Sequence, residues 1–427
     1  MTTIGMSDEF TTFAQRAVIK VCGVGGGGGN AVNRMIAAGL REVEFIVVNT
    51  DAQALQNSPA PRRLQIGLET THGLGAGAKP DIGRAAAIED RDRLSEALKG
   101  ADMVFLTAGL GGGTGTGAGP VVAEIAKSTG ALVVAIVTLP FSFEGIERME
   151  NAREGLKLLE EQVNSLIVVP NDRVAALGQN KISFLNAFQQ ADEVLHNGVR
   201  AITDLITVHG LINVDFADVR TVMEIGGRAL MGIGVAEGEN RAVRAAQEAI
   251  VCPLLEQSNI QGARGVIVNV TGGRDIGMRE MEEAVSTVRK AAHPKARIIF
   301  GAVVSEEERP ELQVMVIAAG FDPDMASEYS DEGLVTAAME THAAAPAEPP
   351  VFTPAPAKPV SPPDPAPVKP GTQIEFAVNN KDTVEAGVST TVWAGNEPEP
   401  EPSPQRAGGM QDDDMNLPTW LRKRLKK

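Results

Sequence analysis

The residues of this chain best suited to chemistry are glycines and threonines rather than familiar nucleophiles. Gly109 to Gly119 reads Gly-Leu-Gly-Gly-Gly-Thr-Gly-Thr-Gly-Ala-Gly, behind the apolar run Met103 to Leu106 and ahead of a helix predicted over Pro120 to Ser128. A glycine loop between strand and helix lets unhindered backbone N–H groups and the positive end of the helix dipole approach an anion, so this stretch predicts a phosphate site. Pro120 is expected in the first helical turn, where its missing N–H costs nothing. A floppy linker would not carry apolar, periodic flanks and regularly spaced threonines. A second loop, Gly23 to Asn30, lies between a strand predicted over Ala17 to Cys22 and a helix predicted over Ala31 to Ala38. It matches G-x-G-x-x-G through Gly23, Gly25 and Gly28, which in that setting is moderate evidence for a nucleotide site. A third loop, Gly73 to Pro80, precedes a helix predicted over Ile82 to Leu98.

The signature G-x-x-x-x-G-K-[ST] is absent. Without its lysine, phosphates must be neutralised by backbone N–H groups, threonine hydroxyls and a cation, for which Mg²⁺ is the expected choice. The five histidines are scattered without metal-ligand spacing, and no Ser–His or Cys–His constellation stands out. Asn49 and Asp51 end the predicted strand Glu44 to Val48; they either hold a ribose or turn the chain and cap the next helix, and both readings stay open. Asp215 and Asp218 project together from a predicted helix start. Local physics favours Asp215 as N-cap and Asp218 as a partner for the dipole. A catalytic role needs a phosphate or water within reach, and the long helix before them would carry them to the face opposite the glycine loops. Within one molecule they could not touch the nucleotide; between molecules stacked head to tail they could, and such a heterologous contact grows into a filament.

The elements that position these residues alternate strand and helix. Further strands are predicted over Ala131 to Val137 and Leu166 to Val169, which makes an α/β domain with a mostly parallel sheet and its ligand loops outside the carboxyl ends of the strands. Ser183 to Thr207 carries Leu185, Phe188, Leu195, Val199, Ile202 and Ile206 at three- and four-residue steps and reads as one long amphipathic helix. Beyond it, strands over Gly265 to Val270, Arg297 to Val304 and Gln313 to Ala318, with helices over Glu239 to Ile250 and Met278 to Ala291, form a smaller α/β or α+β unit.

The chain has 427 residues and a net charge of −16, and 43% of it is hydrophobic, enough for a sizeable core. Residues 322–414 hold 17 acidic and 4 basic residues, and 15 of the 26 prolines fall between Pro346 and Pro404, so this stretch reads as a disordered acidic linker. The acidic balance argues against nucleic acid as a general partner. No signal peptide or membrane-length apolar run is evident, so direct membrane insertion is not expected. Cys22 and Cys252, far apart in apolar surroundings, read as buried thiols of a cytoplasmic protein. Residues 412–427 combine an acidic cluster, the apolar Met415, Leu417, Trp420 and Leu421, and a basic end, which makes a binding motif at the tip of a tether.

Gly111-Gly-Gly-Thr-Gly-Thr-Gly117 resembles the signature loop of the tubulin superfamily. With Gly25 to Asn30, Asn49-Thr-Asp51, Phe143-Glu-Gly145 and Asn213 to Asp218, the chain is similar to the FtsZ family of bacterial cell-division GTPases from about residue 17 to residue 321. The resemblance implies a Rossmann-like GTP-binding domain over 17–182 behind a disordered tail over 1–16, a central helix over 183–208 and a smaller α+β polymerisation domain over 209–321. A Pro-rich linker over 322–411 and a partner-binding peptide over 412–427 follow. It implies GTP and GDP as ligands with Mg²⁺ held mainly by the phosphates, hydrolysis activated by head-to-tail self-assembly, and a cytoplasmic ring at mid-cell. Carried over by motif, Gly26, Gly27, Gly28, Gly29 and Asn30 with Gly113, Thr114 and Gly115 cradle the phosphates. Glu144 and Arg148 contact the ribose side, Phe188 stacks on guanine, and Asn171 and Asp192 reach its polar edge. Asn213, Asp215 and Asp218 complete the hydrolytic site of the neighbouring subunit. Leu417, Pro418, Trp420, Leu421 and Arg422 bind a membrane-anchoring adaptor such as FtsA and other division regulators. Leu139 and Ile146-Glu147 stand where basic residues are common in the family and make the nucleotide rim less positive. A nicotinamide-dependent dehydrogenase would explain Gly23 to Gly28 but not the second glycine loop, the Asn213 motif or the tether, and a non-hydrolysing scaffold would bind GTP only to assemble.

Overall fold

The computed structural model describes residues 16–177, 183–207, 214–255, 260–304 and 309–321. Asn213, the linker and the terminal peptide lie outside them. Five largely apolar runs and the polar edge segment β3 make six parallel strands, β1 (Ile19–Val24), β2 (Glu44–Asn49), β3 (Arg62–Gln65), β4 (Met103–Gly109), β5 (Leu132–Leu139) and β6 (Ser165–Pro170). Four more follow, β7 (Arg228–Glu237), β8 (Gly265–Gly272), β9 (Arg297–Val304) and β10 (Glu311–Ala319). All ten form one sheet in the order β3-β2-β1-β4-β5-β6-β7-β10-β8-β9. β7 joins β6 in parallel through only Leu166–Arg228 and Ile167–Ala229, then pairs antiparallel with β10 along its length. β7 is absent from the strands predicted by sequence. Gly232 and Gly234 interrupt its apolar run, and a side chain at Gly234 would collide with the Ala245 carbonyl of the helix packed on it.

In the parallel half both faces are covered, so its strands are apolar without alternation, except for β3 at the edge. Ile19 and Val21 of β1 enter one core, Cys22 and Val24 the other. The first core receives α1 (Gly25–Ala37) and α2 (Ala52–Gln56). A short α3 (Leu68–Thr71) leads to α4 (Pro80–Glu89), α5 (Arg91–Leu98), α6 (Thr114–Ser128) and α7 (Ile146–Gln162), and these last four fill the second core. α8 (Asn171–Leu177) caps β6, and α9 (Phe184–Thr207) matches the predicted long helix and lies on the first core with Leu195, Val199 and Ile202 buried. α10 (Phe216–Met223), α11 (Arg241–Ile250) and α12 (Met278–Ala291) complete the chain's helices among the described residues. Cys22 and Cys252 are both buried and unpaired, and burial pushes the Cys22 thiol up to about 12.

Three local expectations are corrected. α1 begins at Gly25 and α6 at Thr114, so most of both predicted glycine loops is helix. Glycine costs a helix about 1 kcal/mol per residue relative to alanine, and here backbone packing that no larger residue permits overrides that preference. Pro120 consequently stands inside α6 rather than in its first turn. The helix predicted over Ile82 to Leu98 breaks at Asp90, whose carboxylate accepts from Gly67 N at 2.8 Å and pairs with Arg93 at 2.6 Å.

Candidate functional site

Two helix N-termini meet at the carboxyl edge of the sheet. Gly25 opens α1 with a φ of +74°, and a Cβ there would come within 2.7 Å of Gly115 N, so both the conformation and the approach demand glycine. Residues Val24 and Gly113 at the two N-cap positions make no side-chain capping bond. The first N–H groups of both helices therefore lack the side-chain oxygen that commonly satisfies them, and a bound anion can take its place. Thr114 and Thr116 are tied down in turn. Thr114 Oγ1 lies 2.7 Å from Thr50 Oγ1, and Thr116 Oγ1 accepts from Gly111 N at 2.9 Å. Behind them Gly117 faces the Pro80 carbonyl so closely that α4 and α6 touch backbone to backbone.

These elements enclose a cavity of about 340 Å³. Gly26, Gly27, Asn30, Gly113, Thr114 and Gly115 line its anion end. Glu144, Arg148, Asn171, Phe188 and Asp192 line it as well. Gly28 and Gly29 do not; Gly28 packs against the Thr107 carbonyl of β4 and Gly29 against Val47 of β2. The third glycine loop, predicted but given no site residue, supplies Leu74 to Ala78, held by Ala52 N to Gly73 O at 3.1 Å and Gly75 N to Thr50 O at 3.3 Å. Asn49 and Asp51 line the cavity too, and Asp51 also caps α2 by accepting from Gln53 N at 2.9 Å and Ala54 N at 3.2 Å. Thr138, Ala191 and Leu195 are lining residues that sequence reasoning missed. Leu195 was visible only as an apolar position on a helix face.

The far end of the cavity is polar and aromatic. Asn171 Oδ1 is buried and has no hydrogen-bond partner among the described residues. A ligand edge bearing N–H donors would satisfy it, and a buried acceptor left alone is costly. Asp192 stands nearby on α9, and burial, opposed by Arg34, pushes its carboxyl up to about 7. Phe188 meets Phe141 in a T-shaped contact with centroids 5.0 Å apart, and Phe141 stacks on Phe143 at 4.9 Å. Glu144 accepts from Phe141 N at 3.0 Å and pairs with Arg148 at 2.7 Å. Burial lifts the Glu144 carboxyl above its ordinary range against both of those contacts.

Asp215 and Asp218 are not in this cavity. α9 runs from Asp192 to Thr207 with a rise of ~22 Å, and α10 packs beyond it against β8 and β9. Ser165 Oγ, at the amino end of β6, donates to the Met223 carbonyl at 2.8 Å, which fixes α10 at the sheet edge opposite the glycine loops. Asp215 occupies the N-cap position of α10 but its side chain makes no capping bond and is exposed. The local capping expectation for Asp215 is thus corrected, because the backbone turn closes through Asp218 N to Asp215 O at 3.0 Å without the carboxylate. Asp218, in the first turn as expected, pairs with Arg297 Nη2 at 3.0 Å.

Residues 18–179 match the model of the Tubulin/FtsZ family, GTPase domain, and residues 227–322 that of the FtsZ family, C-terminal domain. Among solved structures, an empty FtsZ dimer from M. jannaschii is 45% identical, with a TM-score of 0.69, over 71% of this chain and 88% of that one. The chain belongs to the tubulin/FtsZ family. A point mutant of the M. jannaschii FtsZ is 44% identical over 72% of this chain and 92% of that one, with a TM-score of 0.69. At 24% identity, CetZ2 from Haloferax volcanii, solved as a GTPγS-bound protofilament, shares the fold over 75% of this chain and 99% of that one with a TM-score of 0.63. The tubulin/FtsZ match carries guanine-nucleotide binding and GTPase activity in general, and with it the sheet, the two uncapped helix starts and the cavity acquire a common purpose.

Proposed function

We propose that this chain polymerises head to tail and hydrolyses GTP at the joint, one copy holding the nucleotide and the next supplying Asp215, Asp218 and Asn213. One observation carries the reading. The acidic side chains lining the cavity are Asp51, Glu144 and Asp192. Asp51 caps α2, Glu144 is paired with Arg148, and Asp192 stands at the far, base end. Two of the three are thus already engaged within their own chain, and the third lies away from the helix starts. The exposed Asp215 and the half-exposed Asp218 stand ready at the opposite edge, where a stacked copy brings them over its neighbour's cavity. The dimer and protofilament forms of the similar proteins are in keeping with that arrangement.

Within one copy, the N–H groups opening α1 and α6 bind phosphate oxygens, Asn171 and Asp192 accept from the guanine edge, and Phe188 offers a ring for stacking. From the next copy, Asp215 and Asp218 orient the attacking water and take up its proton. Mg²⁺, a hard cation that prefers oxygen, would be held by the phosphates with the Thr114 hydroxyl nearby, and would neutralise charge on the γ-phosphate. Among the described residues no three His, Cys, Asp or Glu side chains cluster to hold a metal by themselves.

Light scattering and phosphate release recorded together after adding GTP, across protein concentrations, test the proposal. Both signals are expected to switch on above one threshold concentration. Turnover per molecule that is independent of concentration overturns the shared site. The wider role, a cytoplasmic division ring tethered through residues 412–427 to an adaptor such as FtsA, has its own test. Removing 412–427 should abolish adaptor binding and leave turnover intact.

A further inference from the structure

The two carboxylates proposed for the joint are treated differently by their own chain. Asp215 is exposed with an unused capping position, while Asp218 is held by Arg297, from the far side of the domain in sequence. Arg297 is the first residue of β9, and its backbone N donates to the Arg264 carbonyl at 2.9 Å, so its guanidinium projects from a fixed point on the sheet. The side chains of Asp218 and Arg297 remain 48% and 53% exposed, so both face the solvent that a stacked copy would replace. An ion pair this exposed contributes little to stability. The α10 start needs no help from it either, since Asp218 already lies in the first turn, where the dipole favours a carboxylate.

We infer that Arg297 is a positioning residue for the intersubunit site. It biases the orientation of Asp218 and brings a positive charge to a joint where carboxylates must approach a triphosphate. The inference rests on the head-to-tail reading above. An oriented Asp218 leaves Asp215, exposed and without a capping bond, as the carboxylate free to follow water and proton, and this division of labour explains why one of the two is paired and the other is not. Arg297 also answers the charge problem posed by the missing P-loop lysine, since part of the cationic charge comes from the neighbour instead. Leu139, expected at the nucleotide rim, is instead buried in the second core and does not line the cavity.

The test uses full-length protein, with melting temperature, GTP affinity of dilute chain, threshold concentration and turnover per assembled subunit measured for each variant. Arg297→Ala should leave the melting temperature and monomer GTP affinity unchanged, and should lower assembled turnover roughly tenfold, equivalent to about 1.4 kcal/mol of transition-state stabilisation. Arg297→Lys, which keeps the charge, should recover part of that loss. In an Asp218→Asn background Arg297→Ala should cost nothing further, because the arginine acts through that carboxylate. Unchanged or raised turnover in Arg297→Ala, or full additivity with Asp218→Asn, overturns the inference. Asp215→Ala run alongside separates the two levels. If it turns over normally, the head-to-tail reading itself fails; if it is inactive while Arg297→Ala is normal, only the role of Arg297 fails.

Discussion

At the carboxyl edge of the sheet, backbone N–H groups stand locked between Gly25, Gly115 and Gly117, whereas at the amino edge two carboxylates, Asp215 and Asp218, are left in or near solvent. The first region is built to be complete before a ligand arrives: helix starts without side-chain caps, threonine hydroxyls already paired, an acceptor on Asn171 waiting for a donor. The second spends almost nothing on its own structure, and α10 folds without the Asp215 side chain. In the head-to-tail reading proposed above, a rigid binding half and an open catalytic half suit a reaction tied to assembly. On the proposed shared site, any copy would hold nucleotide and hydrolysis would wait for the next one.

The comparison is broken most severely at the amino edge. Asp215→Ala removes an exposed carboxylate with no capping bond, so the fold and GTP binding by dilute protein should be unaffected, and filaments should still form. Phosphate release per assembled subunit should fall by roughly a hundredfold or more, the scale on which general acid–base groups act. Normal turnover would sink the division between edges. At the carboxyl edge the effect moves from rate to structure. In Gly117→Ala the new methyl group meets the Pro80 carbonyl and Arg84 N of α4, all backbone, so the helices must part. The cost should be about 1–3 kcal/mol of stability, read as a lower melting temperature. Weaker GTP binding should accompany it, because the loop before α4 lines the cavity. A variant as stable and as tight as the parent would show that α4 and α6 are not locked.

How legible each region was follows from the same contrast. The glycine loops were readable because strand, glycine run and helix are neighbours in sequence, and the chemistry belongs to the backbone between them. Their helical character was not readable, since it depends on Gly25 meeting Gly115 and Gly117 meeting Pro80 across the fold. The ion pair of Asp218 with Arg297 spans 79 positions, and no periodicity or motif announces it. β7 escaped for a related reason. Gly232 and Gly234 break its apolar run, and only the helix lying on Gly234 explains why no side chain stands there. Asp215 looked like an N-cap by residue type and position, yet residue type cannot say whether the side chain turns back to the helix or out to solvent.

The gentlest probe of the binding half is pH. With its carboxyl at about 7 because of burial, Asp192 is protonated in most copies at pH 6 and ionised in most at pH 8. The N–H groups of a guanine edge need an acceptor, so they bind the carboxylate and draw its affinity for protons down. The linkage then has one sign: binding releases a proton, and GTP affinity rises as pH passes upward through 7. If the bound state keeps Asp192 ionised throughout, the gain from pH 6 to pH 8 is about tenfold, or ~1.4 kcal/mol. His196, on the same helix, does not confuse the reading, since burial and the charges of Arg200 and Arg34 push it down to about 4, below the range scanned. Equilibrium titration of dilute protein with a fluorescent GTP analogue at several pH values supplies the measurement. Asp192→Asn should bind more weakly than the parent at pH 8 and should show a flat profile between pH 6 and 8. A flat profile in the parent, or an affinity that falls as pH rises, would mean that the Asp192 carboxylate does not accept from the base.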